Sequence, residues 1–347
     1  MRLNRPGALV AIVLCGLALD DCSGPSLSFL DPQGPVAAAQ REHFFEVLAL
    51  LAIVVLPVLV LTPLVAWRYR YGRAPDAATP YEADWEFSRG IEIAIWAVPV
   101  AIVAVLAVLL WNSVHALDPY RPIVSAQPPL RVQVIGYDWK WLFVYPDLGL
   151  ATVGEMAFPD DRPVALDITS ATVMQSFLIP ALGSQIYAMG GMRTQLHLAA
   201  DGPGTYLGEN TAYSGMGFQH QKFTARSLPP AEFDAWVART RKAARPFDAR
   251  ALAAIEAKGT SNELHDQIAG GKPIVSYTDP PSRAVDARLT SFSGVPVSFF
   301  DDVVMATMDG TKQVGIARIT PSGRPAKYDR PDQPATQLMG SMPEMRR

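Results

Sequence analysis

The chain has 347 residues, of which 49% are hydrophobic and 18% charged, with a formal net charge of −3. It is too apolar for a disordered chain, too long for one small domain, and lacks the basic footprint of a nucleic-acid binder. Its two cysteines, Cys15 and Cys22, both precede the first long apolar span, so neither a disulfide framework nor a thiolate metal centre can form in the remainder of the chain.

Arg2 and Arg5 precede an apolar run from Ala8 to Leu19, followed by Asp20-Asp21-Cys22. A basic start before a short apolar stretch reads as a secretory signal over 1–21. Cys22 stands where a lipoprotein signal would be cut and acylated, although that cleavage prefers small neutral residues where Asp20 and Asp21 stand. An ordinary or retained signal with an incidental thiol is the alternative. An exported segment then covers 22–43.

Val47–Trp67 and Ile93–Leu117 hold no Asp, Glu, Lys or Arg. At about 1.5 Å per residue each can cross the roughly 30 Å hydrocarbon core, which predicts transmembrane helices over 44–67 and 91–117. Pro57, Pro63 and Pro99 are tolerable in such helices. The connection 68–90 carries Arg68, Arg70, Arg73 and Arg89, whereas the flanking segments hold few cations. The loop is therefore expected in the cytoplasm and both ends outside, on the periplasmic side.

From Leu130 the pattern changes to short strands: Leu130–Gly136, Trp139–Tyr145, Val164–Thr169, Val173–Ile179, Thr194–Ala199 and Lys222–Arg226. Turn-rich stretches separate them, which favours an antiparallel sandwich or barrel. Pro229–Ala243 reads as a helix with Phe233, Trp236, Val237 and Thr240 on one face. A second short helix is expected over Phe247–Ala257, completing a helical element over 229–270. Beyond Gly270 the Pro, Gly and Ser content predicts a loosely ordered or partner-dependent tail over 271–347, with Val295–Met305 its most periodic stretch.

The exported part contains His197, His220 and His265. His197 reads as a surface or edge residue of its strand. Met216 and His220 at i, i+4 spacing invite a metal, yet one His and one Met without Cys make a poor site. No nucleophile elbow, phosphate loop or His-Glu-x-x-His motif is present. Glu92, at the cytoplasmic start of the second span, has a sufficient structural reason in the helix dipole. An ionisable group at a membrane edge is also a functional candidate.

Longer runs carry a resemblance. Leu30-Asp31-Pro32-Gln33-Gly34, the Glu92-x-x-x-Trp96-x-x-Pro99 span, His115-Ala116-Leu117-Asp118-Pro119 and Asp138-Trp139-Lys140-Trp141 are followed by the long run Val173 to Met189. Together they resemble subunit II of the haem-copper respiratory oxidases, in particular that of the cytochrome bo-type ubiquinol oxidases. The resemblance spans Cys22 to Lys242.

It implies an α+β membrane protein: a two-helix transmembrane hairpin, then an exported cupredoxin-like antiparallel β-sandwich over 125–228, then short helices and the tail. In the cytochrome c oxidase branch that sandwich holds a dinuclear copper centre. Here Gln175 stands for the first His ligand, Asn210 and Ser214 for the two Cys, Ala212 for the Glu, Phe218 for the second His and Gln221 for the Met. Trp139 and Trp141 match the aromatic pair that receives electrons in that branch. Without copper they read as core and interface aromatics.

The resemblance further implies that Glu92 lines the entrance of a proton-input channel shared with subunit I, which lifts this role above the dipole reading. The aromatic helix is expected to dock on the oxidase. No catalytic, cofactor or metal residue is expected in this chain. Haems and copper are expected in subunit I of a bacterial inner-membrane complex, with subunits III and IV, membrane lipid and ubiquinol as further partners. The function read is that of a non-catalytic subunit of a proton-pumping, oxygen-reducing ubiquinol oxidase. A cytochrome c oxidase subunit II with an electron-transfer role, or a tethered binding or assembly protein, are the rival readings.

Overall fold

The computed structural model describes residues 30–69, 87–183, 185–270 and 288–309. Two long helices lead, α1 (Pro35–Arg68) and α2 (Arg89–Ala116). Both have a mean hydropathy of 2.9 over their most apolar window, and none of that window is buried within the chain. α1 starts well before the apolar span because Pro35 suits a first helical position and Ala37-Ala38-Ala39-Gln40 are strong helix formers. At 1.5 Å per residue it is about 51 Å long, so its polar first turns extend beyond a bilayer core.

The sandwich comes next. Its strands are β1 (Leu130–Tyr137), β2 (Lys140–Tyr145), β3 (Leu150–Val153), β4 (Glu155–Pro159), β5 (Val164–Ser170), β6 (Gln175–Leu178), β7 (Ile186–Ala188), β8 (Thr194–Leu198), β9 (Gly204–Asn210) and β10 (Lys222–Leu228). Then come α3 (Pro230–Ala243), β11 (Arg245–Pro246), α4 (Ala249–Glu256), α5 (Ser261–Ala269), β12 (Thr290–Ser293) and α6 (Phe299–Met308). One sheet runs β11-β12-β3-β2-β1-β5-β8 and the other β4-β10-β9-β6-β7. Most pairs are antiparallel, but β1 pairs parallel with β5, β10 with β4 and β11 with β12. All six strands expected from alternation are present; β3, β4, β7 and β9 were not legible as strands.

The central strands of the seven-stranded sheet, β1, β2 and β3, are covered on both faces. Val132, Val134, Trp141, Phe143 and Tyr145 point between the sheets, with Phe177, Phe223 and Trp236. Ile135, Leu142 and Val144 lie on the outer face, under Leu252, Ile255, Phe292, Phe299, Phe300 and Val303. Residues 288–309 are thus not a loose tail. β12 pairs antiparallel with β3, and α6 buries Phe299, Phe300, Val303 and Ala306 on the sheet. The outer face of β1 and β2 is apolar and must be covered, and this segment covers it. The rest of the expected tail, 271–287 and 310–347, lies outside the described residues.

Phe233, Trp236, Val237 and Thr240 of α3 are buried, as the spacing predicted, and the first three join the core of the chain's own sandwich. Trp236 Nε1 donates to Glu155 Oε1 at 2.6 Å, and its ring lies 5.8 Å from that of Tyr145.

The hairpin is latched to the β8 edge. The backbone N–H of Gln33 donates to Ala181 O at 2.7 Å, and Asp201 N–H donates to Gln33 O at 2.8 Å. Gly34 lies so close to Ala199 O that a Cβ would collide with it. From α2, Pro119 O is met by the backbone N–H of His197 at 3.2 Å and by its ring Nδ1 at 3.1 Å. His197 is accordingly a half-buried residue of an edge strand, as read from its sequence.

Candidate functional site: a buried amide network

The loops at one end of the sandwich bring together Gln175 at the start of β6, Asn210 at the end of β9, Ser214 in the loop after it and Gln221 just before β10. Gln175 and Gln221 are wholly buried and Asn210 nearly so. Their amides bond one another in series. Gln221 Nε2 donates to Gln175 Oε1, Asn210 Nδ2 donates to Gln221 Oε1 at 2.9 Å and to Ser214 Oγ at 3.1 Å. Asn210 Oδ1 accepts from Ser176 N at 2.9 Å and Ala212 N at 3.0 Å, so this amide uses its full hydrogen-bonding capacity. Gln175 Nε2 donates to Tyr137 O at 3.0 Å and Thr172 Oγ1 at 3.2 Å.

These are the positions at which the resemblance places copper ligands. Ala212 joins by its backbone alone, and Phe218 stays apart, edge-on to Tyr213 at 5.2 Å. The donor set does not fit the dinuclear copper of the other branch. That centre needs thiolate, imidazole and thioether, and here neutral amides are spent on each other and on the backbone. No group of three or more His, Cys, Asp or Glu able to share a metal occurs among the described residues. Met216 is largely exposed, and His220 Nε2 lies 3.3 Å from Gln219 Nε2.

Trp139 forms the roof of this end. It occupies the tight β1–β2 turn with φ +70°, a left-handed conformation costly for a bulky residue. Its indole N–H donates to Ser214 O at 3.1 Å, and the glycine at 217 lets the ring lie flat on the loop. Trp141 sits in the inner core, edge-on to Phe177 at 5.3 Å. Both therefore have structural reasons to be where they are.

Lys140, between them, was not singled out from sequence. It is 1% exposed, and its ammonium donates to Ala257 O at 2.6 Å and Gly259 O at 3.1 Å, just past the C-terminus of α4. A cation suits those carbonyls and the negative end of the helix. A lysine flanked by tryptophans in an otherwise apolar strand was the available signal. Burial pulls its pKa down to about 8, with Asp138 and Glu263 opposing that fall. The unfolded chain then holds more protons between about pH 8 and the ordinary 10.5, so this group makes stability rise with pH across that window. Lys140→Met is expected to lower stability at pH 7 by about 2–4 kcal/mol, through orphaned carbonyls, and to remove that rise. Thermal melting from pH 7 to 10 checks both; an unchanged pH slope would refute the titration.

Glu92 lies in the first turn of α2, after the N-cap Ser88, and so at the helix end remote from the sandwich latch. Cys22 lies outside the described residues.

Residues 149–225 match the family described as cytochrome c oxidase subunit II, periplasmic domain. The cytochrome bo(3) ubiquinol oxidase subunit 2 of Pseudomonas putida is 41% identical over 242 residues, 70% of this chain and 76% of that protein. The ubiquinol oxidase subunit 2 of Acetobacter aceti is 42% identical over 252 residues, 72% of this chain and 78% of that protein. The solved periplasmic domain of cytochrome oxidase subunit II from Bradyrhizobium japonicum overlaps 34% of this chain and 98% of its own, at 23% identity and TM-score 0.33. The two-sheet strand order and the family match show the fold. With two long apolar helices, the family's periplasmic domain and identities above 40% to ubiquinol oxidase subunits over most of their length, the chain belongs to the ubiquinol oxidase subunit II family.

Proposed function

We propose that this chain serves a membrane-bound, oxygen-reducing ubiquinol oxidase as its non-catalytic second subunit, holding the membrane-embedded subunit I and contributing to proton input. The observation that carries this reading is the amide network. A quinol dissolved in the bilayer can hand electrons directly to a membrane subunit, so the exported sandwich has no need of a metal relay, and three of its ligand positions, Gln175, Asn210 and Gln221, hold amides bonded in series. The cytochrome c oxidase reading requires donors that Gln175, Asn210 and Gln221 do not supply.

The topology proposed puts the loop 68–90 in the cytoplasm and the sandwich on the periplasmic side. Two facts support it: the arginines of that loop, and the common latch that brings Gln33 and Pro119 to one side of the hairpin. Subunit I would carry the haems and copper; subunits III and IV complete the proposed assembly. Purified in mild detergent, the full chain is expected to carry a haem-bearing partner and ubiquinol-driven oxygen uptake. Isolation without haem would overturn this in favour of a tethered assembly protein, and uptake driven only by reduced cytochrome c would favour the other branch.

Glu92 is proposed as a proton-input acid at the cytoplasmic edge of α2. Glu92→Ala is expected to slow turnover and coupled proton uptake by at least about tenfold. A variant complex with full turnover and uptake would sink the role. Cys22 is proposed as an acylation site following the signal; labelled palmitate should be incorporated by the wild type and lost in Cys22→Ser, and absence of label in the wild type would refute it.

A further inference from the structure

A cavity of about 490 Å³ opens between β11, α4 and α5, with Ile268, Ala251, Ala254 and Phe292 as its apolar lining. Arg245 and Arg250 stand on its rim, and Lys242 lies three residues upstream; all three are exposed and without an ion-pair partner among the described residues. Of the acids nearby, Asp248 keeps its charge on the lining against the two arginines, and Asp266 is paired. Asp248 accepts from Ala251 N at 2.8 Å as the cap of α4, and Asp266 pairs with Arg288 at 2.8 Å. The chain as a whole is acidic, so this unpaired positive rim around an apolar floor is a local specialisation.

We propose that this cavity is a docking site for an acidic segment of an exported partner protein, with one apolar side chain of that segment seated on the floor. Charge complementarity selects an anionic occupant, and the apolar lining selects one with a hydrophobic anchor. The apolar lining favours a protein segment with a side-chain anchor over a lipid headgroup, and the site stands apart from the latch. β11 is the edge opposite β8, where the hairpin is latched, six strand spacings or about 29 Å away.

The test is fluorescence anisotropy of a labelled, glutamate-rich peptide with a central tryptophan, titrated with the detergent-solubilised complex. A second peptide has serine in place of tryptophan. Arg245→Glu/Arg250→Glu is expected to weaken both peptides at least about tenfold, a loss of about 1.4 kcal/mol. Ala254→Phe, which fills the cavity and spares the charges, should weaken only the tryptophan peptide. Melting curves establish that both variants remain folded. Equal binding by the charge-reversed variant, or indifference of the tryptophan peptide to Ala254→Phe, overturns the proposal. So does binding of phosphatidylglycerol vesicles in place of the peptide. Absence of peptide binding to the wild type, as would result if residues 271–287 or a second copy filled the cavity, overturns it as well.

Discussion

A chain ending at Gly270 is expected to lose its folded exported domain, whereas one ending at Asp309 is expected to keep it. Phe292, Phe299, Phe300 and Val303 are wholly buried on the outer face of the seven-stranded sheet. At about 1.5–3 kcal/mol for each such side chain, their combined burial is of the order of the 5–15 kcal/mol that holds a whole domain together. Removing them also exposes Ile135, Leu142 and Val144, an apolar surface that invites aggregation. Limited proteolysis and melting of the two truncations would check this. Equal resistance of the shorter chain would show that residues 288–309 do not hold the sheet.

The second large effect is expected at Asn210. Asn210→Leu leaves Ser176 N, Ala212 N and Gln221 Oε1 without their partner. Ser176 N and Gln221 Oε1 are fully buried, and at about 1–3 kcal/mol for each the variant should lose roughly 2–6 kcal/mol and melt well below the wild type. The Gln175→Leu/Gln221→Leu double variant should cost less than the sum of its singles, because each change removes the partner that the other would orphan. Strict additivity would mean that the two amides do not act as a unit.

The hairpin and the alternating strands were legible because their signals are local. An uncharged run of more than twenty residues matches the length of a span, and period two in Leu130–Gly136 or Thr194–Ala199 specifies a strand face. β9 was not legible, because Gly204-Thr205-Tyr206-Leu207-Gly208 has two glycines and follows a turn-like stretch. It is a strand because Gly208 makes room for the ring of Phe223 on the neighbouring β10. The packed segment 288–309 was missed for a related reason. Thr290-Ser291-Phe292-Ser293 is too short and polar to announce itself, and it becomes a strand only when laid against β3. The clue lay in the partner strand, where the unbroken run Trp141-Leu142-Phe143-Val144-Tyr145 requires cover on both faces.

At the candidate site, the sequence resemblance indicated which positions to compare, and side-chain chemistry excluded a thiolate-containing centre there. It did not indicate that the replacements would bond one another. That depends on Gly136, where a Cβ would strike the Gln175 amide, and on the loop that folds Ser214 under the indole of Trp139. Glu92 was legible as a carboxylate at a helix start, and it stands in the first turn of α2. The apolar face of α3 was legible from its spacing, but not that the sandwich buries it, since periodicity gives a buried stripe without saying what buries it.

Near-infrared absorption of the purified complex, recorded before and after incubation with copper and desalting, tests the central claim most directly. With Gln175, Asn210 and Gln221 satisfied by one another, the sandwich is expected to show no dinuclear-copper band in either state and to retain none of the added copper. A band that appears in the wild-type complex and vanishes in Asn210→Leu would contradict the account, because it would place a metal where the amide network is described.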